Sequence, residues 1–269
     1  MEFLETEDAK IAYTDTGKGD PVLLLHGSFS ADWFSPVADH LTEDGHRVLR
    51  VHRAGYGRSL DLVGGVSVGA HARHAAEVLE ATGAGPVDVV GHSSGADVAL
   101  QLALARPDLV RSLVLLEAAF PYAPDEPKSP AMPLAIQAAR EGNFEAAFDL
   151  FLAGVSGEGF REVFVRQLGE DGLREAVASS RYFFTAEAGA LSSWPFGAAE
   201  AATVEVPVLL VVGGEGERLG TPHRARSAQL ASWLPRSETR IVPGVSHAMP
   251  LERPRLIAEV VEEFLASHR

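Results

Sequence analysis

The expected strand Pro86–Val90, apolar but for Asp88, ends directly in Gly91-His92-Ser93-Ser94-Gly95. It then continues without a spacer as the nearly all-apolar stretch Ser94–Ala105, which stops before Pro107. A strand that turns straight into a helix through a glycine-flanked serine narrows the possible folds more than any other feature of the chain. The strand lacks polar alternation, so it reads as buried on both faces of a parallel sheet. The same rhythm recurs. Strands are expected over Lys10–Thr14, Pro21–Leu25, His46–Val51, Val110–Leu116, Val206–Val212 and Thr239–Val242. Helices are expected over about Trp33–Thr42, Val68–Ala81 with Gly83 as its stop, Arg224–Trp233 and Pro254–Ser267. Strand–helix alternation predicts an α/β layer with helices on both faces.

The rhythm fails once. From about Phe120 to Ala202 no strand-like run stands out. A proline-rich linker, PYAPDEPKSP, leads into helical stretches at about Met132–Arg140, Phe144–Ala153, Phe160–Leu168 and Leu173–Phe184. The expected division is a core of residues 1–119 and 203–269, with an all-helical insertion at 120–202. An insertion of about 80 residues is more often a functional cover than a passive loop.

Composition removes whole classes of function. The 269 residues include no cysteine, which excludes disulfides, thiolate metal sites and a cysteine nucleophile. Lys and Arg number 23 against 37 Asp and Glu, a net charge of −14 that repels nucleic acid. The start, MEFLETEDAK, lacks the pattern of a signal peptide. No apolar run approaches the roughly 18 residues that cross a bilayer. A cytoplasmic protein acting on a small neutral or apolar molecule is expected, without membrane or nucleic-acid partners. The oligomeric state is left open.

Gly91-His92-Ser93-Ser94-Gly95 matches G-x-S-x-G, but so does Gly65-Val66-Ser67-Val68-Gly69. Context separates them, because a nucleophile elbow needs a buried strand before it and a helix at once after it. Ser93 has both. Ser67 precedes an amphipathic helix and suits an N-cap. The helix after Ser93 aims its free N–H groups at the reacting centre. The Ser94 amide is then one donor of an oxyanion hole. The second is expected from His26-Gly27-Ser28-Phe29, with the Ser28 amide preferred and Phe29 as the alternative.

A serine nucleophile needs a base that titrates near neutrality. Of the ten histidines, His247 lies in a loop between the last expected strand and the last helix. Ligands of open α/β sheets bind at such carboxyl ends of strands, so His247 is the expected base. His92 is expected to pack beside the turn, and His52 to lie near the site. His71 and His74 are expected on a solvated helix face without a carboxylate partner. His40, His46, His223 and His268 are expected at the surface.

Taken together, His26-Gly27, the turn Gly55-Tyr56-Gly57-Arg58-Ser59, the elbow GHSSG and the tail SHAMPLERP around His247 resemble the α/β-hydrolase superfamily. The resemblance implies a mostly parallel eight-stranded sheet flanked by helices, a helical lid over the site, and a Ser–acid–His triad in that chain order. His52 departs from the aspartate common in relatives, and Ala96 from a common glycine. A serine at the elbow argues against the epoxide hydrolases and haloalkane dehalogenases of the superfamily, which use aspartate. The usual acidic slot falls at Glu217, in Gly213-Gly214-Glu215-Gly216-Glu217. A minority of relatives, the zearalenone lactonases among them, place a glutamate directly after the preceding strand, which here is Glu117. Glu117 is preferred, with Glu217 as the alternative.

The expected activity is hydrolysis of a carboxylic ester or lactone through an acyl-enzyme, with no cofactor or metal. Carbon–carbon bond hydrolysis, or a lyase or cyclase step on the same triad, is the rival reading. A non-catalytic ligand-binding protein is a third. Phe144, Phe148, Phe151, Tyr182, Phe183, Phe184 and Trp194 are the aromatics of the insertion. At least half are expected to fix it to the core rather than line a pocket.

Overall fold

The strands β1 (Glu2–Glu5), β2 (Lys10–Gly17), β3 (Pro21–Leu25), β4 (Arg47–Val51), β5 (Val87–His92), β6 (Val110–Leu116), β7 (Val208–Gly213) and β8 (Ser237–Val242) form one eight-stranded sheet. They are seen in a computed structural model that describes residues 1–59, 63 and 65–268. The order is β1-β2-β4-β3-β5-β6-β7-β8. β2 runs antiparallel to β1 and β4, and every other pairing is parallel. β1 is the strand that periodicity misses. Three of its four residues are exposed at the sheet edge, so it carries no continuous apolar signal.

Alternate residues of the central strands enter separate cores. Leu23, Leu25, Val89, Leu113 and Leu115 pack with the helices α2 (Val68–Thr82) and α3 (Ser94–Ala105). Val22, Leu24, Val90, Val114 and Leu116 pack with the outer helices Ser35–Glu43, hereafter α1, and Pro254–Ser267. Burial on both faces is why these strands read as mainly apolar, interrupted only by Asp88 in β5 and by Arg111 and Ser112 in β6. Ser67 caps α2, its side chain accepting from the Ala70 amide at 3.0 Å, and Gly83 ends it with φ 61°.

Between β6 and β7 the chain is helical: α4 (Ala131–Arg140), α5 (Phe144–Ser156), α6 (Phe160–Tyr182) and a π-helical turn, Phe183–Glu187. Two shorter helices complete it, α7 (Ala188–Ser192) and α8 (Ala198–Ala201). α6 is broken at Gly169 (φ 74°, ψ 175°), the gap between two stretches read separately from the sequence. No helix among the described residues is long and apolar enough to cross a membrane.

Four histidines depart from expectation. His71 and His74 are buried, and His74 Nε2 lies 2.8 Å from Asp8 Oδ1. His46 is buried with Nε2 2.6 Å from Glu262 Oε1, and His223 is buried as well. Polar helix sequence suggests an exposed face, but the carboxylates that satisfy His46 and His74 come from elements distant in the chain.

Candidate active site

The sheet order reverses around β3: β4 lies on one side of it and β5 on the other. That reversal opens a crevice at the carboxyl ends of the strands, and the expected residues gather there. Ser93 has φ 52° and ψ −124° between β5 and α3. Its amide donates to the Leu116 carbonyl at 2.9 Å. A Cβ on Gly95 would stand 2.1 Å from the Leu25 carbonyl oxygen, so α3 can approach β3 only with glycine there. Gly95→Ala is expected to cost at least the roughly 1–3 kcal/mol of an overpacked core, measurable as a lower denaturation midpoint in urea.

Phe29, Ser93 and Glu117 are the non-glycine residues with positive φ among those described, at 76°, 52° and 46°. They follow β3, β5 and β6 respectively. Backbone strain of this kind gathers at functional sites, and here it marks three adjacent strand ends.

Glu117 is buried, its Oε1 accepting from the Gly213 amide at 2.8 Å. Its Oε2 lies 2.7 Å from His247 Nδ1. Burial raises the Glu117 carboxyl above the usual carboxylate range, and the Gly213 bond opposes that by favouring the charged form. Burial, followed by the positive charge of Arg226, pushes His247 down to about 3. The imidazole is thus held neutral, as a proton acceptor requires. Glu217 is elsewhere: its carboxylate is largely exposed and pairs with Arg224 at 2.8 Å. Glu215 pairs with Arg218. The structure therefore brings Glu117 to His247 and leaves Glu217 in solvent.

Two more histidines flank His247. His92 Nε2 donates to the His247 carbonyl at 2.8 Å, tying the elbow to the histidine loop. His223, at the start of α10 (His223–Trp233; Gly216–Leu219 being α9), stacks on His247 with centroids 4.4 Å apart and planes 4° from parallel. Nothing in the polar sequence TPHRARS signals that position. Glu117, His223 and His247 offer ligand atoms within 4.8 Å of one another. Stacked rings keep their in-plane lone pairs in two separate parallel planes, whereas a metal needs them to converge. Within the cluster Glu117 hydrogen-bonds His247, and His223 contributes a stacked ring.

The turn after β3 is set by His26. The Arg53 amide donates to His26 Nε2 at 2.9 Å, which leaves the proton on Nδ1 to donate to the Gly27 carbonyl at 2.7 Å. A trans peptide points its N–H opposite to its C=O, so the Ser28 amide is aimed away from His26. Trp33 Nε1 donates to the Ser28 carbonyl at 2.7 Å and fixes the next peptide. Behind this turn, Arg53 and Glu187 form a buried ion pair that the sequence did not reveal.

A cavity of about 540 Å³ opens onto Ser28, Phe29, Ser93 and His247. The insertion contributes Phe151, Phe183 and Phe184 to its wall. Phe148, Tyr182 and Trp194 meet the core instead, three of the seven where at least half was expected, and Phe144 packs within the insertion. Trp194 stacks on Phe196 at 4.5 Å and donates to Gln101 Oε1 at 2.7 Å, and Tyr182 meets Tyr56 edge-on at 5.1 Å. Phe148 is fully buried, and Phe144 lies beneath Arg181.

The chain is similar to several known proteins in sequence and fold. A 2-hydroxymuconate semialdehyde hydrolase of Pseudomonas putida is 30% identical over 278 residues, covering 94% of this chain and 89% of the relative. A candidate carbamate hydrolase of Azorhizobium caulinodans is 36% identical over 117 residues, a match that spans only 44% of that relative's length. Among solved structures, the N-acyl homoserine lactone degrading enzyme Est816 superposes with a TM-score of 0.73 at 25% identity, over 98% of this chain and all of the other. The esterase RhEst1 of Rhodococcus sp. ECU1013 shares the fold, with a TM-score of 0.81 at 21% identity over 100% of this chain and 99% of the other. A family model described as alpha/beta hydrolase fold matches residues 20–254. With its sheet order, its elbow and a match to that model over most of its length, the chain belongs to the α/β-hydrolase family.

Proposed function

We propose that the protein is a serine hydrolase that cleaves a neutral carboxylic ester or lactone, with Ser93, Glu117 and His247 as its triad. The observation that carries the reading is the 2.7 Å contact of Glu117 with His247 Nδ1, beside a cavity that Ser93 also lines. His247 takes the Ser93 proton as Oγ attacks the carbonyl carbon. Glu117 holds the imidazole tautomer and compensates the imidazolium. The Ser94 amide and a second from Ser28, or alternatively Phe29, receive the oxyanion. His247 returns its proton to the leaving oxygen, and water then releases the acyl group by the same steps in reverse order. No step needs a metal or cofactor. The helical insertion serves as the lid.

The likeness to the Pseudomonas putida hydrolase favours a second reading, cleavage of a carbon–carbon bond in an acidic substrate. The cavity speaks for the first. Of the two cations that line it, Lys128 is exposed to solvent, and the partly buried Arg226 is held by both oxygens of Glu126, at 2.8 and 2.7 Å, which leaves little for a substrate carboxylate. Labelling by a serine-directed phosphonate, followed by a panel of neutral esters, lactones and acidic dienols, decides between them. Faster turnover of the dienols would overturn the ester reading.

Protonating His247 removes the base, so kcat/KM falls as pH drops through its pKa. Because burial lowers that pKa from the usual 6.5, the acid limb is expected well below pH 6.5. A pH–rate profile, with folding followed by circular dichroism, checks this. A midpoint above 7 would contradict it.

A further inference from the structure

We propose that Glu187, carried into the core by the π-helical turn of the insertion, is a positioning residue for the oxyanion hole. It acts through Ser28, Tyr56 and Arg53 on the two residues whose amides receive the charge. The proposal rests on the serine-hydrolase reading above.

Glu187 is only 1% exposed. Its Oε1 pairs with Arg53 Nη1, and its Oε2 accepts from the Tyr56 hydroxyl and, at 2.7 Å, from Ser28 Oγ. Arg53 spends its other donors on the same region: Nη2 on Ser94 Oγ at 2.9 Å and Nε on the His26 carbonyl at 3.0 Å. Ser28 and Ser94 touch through their hydroxyls at 3.0 Å. The proton count closes. Ser28 gives its one hydroxyl proton to Glu187, so it accepts from Ser94, which in turn accepts from Arg53. Each hydroxyl is thereby locked in one rotamer, and with it the backbone that bears each amide. The net charge of the cluster is zero, as a buried pair requires.

The carboxylate belongs to the insertion, whereas the groups it binds belong to the core. π-Helical turns are frequent at functional sites. This one directs Phe183 into the cavity wall and Glu187 behind the oxyanion turn. Tyr182, just before it, seats on Gly55, where a Cβ would lie 2.2 Å from the ring. The same segment thus seats the insertion on the core and braces the residues that bear the oxyanion donors.

The test compares wild type, Glu187→Gln, Tyr56→Phe and Ser28→Ala on p-nitrophenyl butyrate. It also measures affinity for an apolar trifluoromethyl ketone, which forms a tetrahedral adduct on serine, and for the matching methyl ketone, which stays trigonal. Losing a whole oxyanion donor costs about 10²–10³ in kcat, so misaligning two should cost Glu187→Gln about 30-fold in kcat, with KM within about twofold. Trifluoromethyl ketone affinity should fall in step while methyl ketone affinity holds. Tyr56→Phe, which keeps the ion pair, should shift the same quantities less and carries the test if Glu187→Gln does not fold. Unchanged kcat in the folded variants, or equal losses for both ketones, overturns the proposal while wild-type turnover that Ser93→Ala abolishes leaves the hydrolase reading standing. Wild type that neither turns over the ester nor forms the adduct overturns both.

Discussion

Ser93→Ala is expected to lower turnover of an activated aryl ester by about 10⁶-fold, the scale of losing a triad serine elsewhere. Labelling by a serine-directed phosphonate should vanish with it. The chain has no cysteine, so no thiol can take over the nucleophilic role. Residual catalysis should come from substrate binding and the oxyanion donors alone. Removing one oxygen from a residue that lines the cavity leaves the core packing intact, so the melting temperature should stay near that of wild type. Ser67→Ala is the control. It deletes the cap of α2, whose Oγ accepts from Ala70, and should cost about 1 kcal/mol of stability with no loss of labelling. Loss of labelling in a folded Ser67→Ala protein, with labelling kept in Ser93→Ala, would show that the wrong serine has been placed at the elbow.

Glu117→Gln is expected to lower kcat by roughly 10⁴, by analogy with the aspartate-to-asparagine change in a serine protease. The Gly213 amide requires an oxygen at the Oε1 position, at 2.8 Å. The new amide nitrogen must then face His247 Nδ1, where Oε2 now sits at 2.7 Å. Two donors cannot share that contact, so the imidazole moves its proton to Nε2 and can no longer accept one from Ser93. Nucleophile and base remain present in the wrong tautomer. Glu217→Gln should cost less than about tenfold, as expected for a solvated carboxylate. Steady-state kinetics on both variants checks the pair. A large loss at Glu217 and a small one at Glu117 would return the acid to the loop after β7.

The parts legible in the sequence are those written within a few consecutive residues. β5, the elbow and α3 follow one another directly, so hydrophobic run, glycine spacing and helix start all coincide around Ser93. His247 could be placed because one short loop joins the last strand to the last helices. The helical nature of 120–202 was legible from the loss of strand rhythm. The edge strand β1 was not, since a strand exposed along most of its length has no apolar pattern.

The choice between Glu117 and Glu217 belonged to tertiary structure. Both follow strands, but β6 and β7 pair with Leu116 beside Val211, and that register sets Glu117 against Gly213 and within reach of His247, 130 positions along the chain. His223 and the Arg53–Glu187 pair were invisible for the same reason. A histidine opening a polar helix reads as a surface residue, and a single glutamate in a helical segment carries no signal of burial. What buries them is a partner 134 positions away in the case of Glu187, and a stacked imidazole in the case of His223. Local sequence determines where a strand ends and what chemistry stands there. Only the packed chain decides which buried charges meet, because a polar side chain can leave water only where distant elements supply its hydrogen bonds.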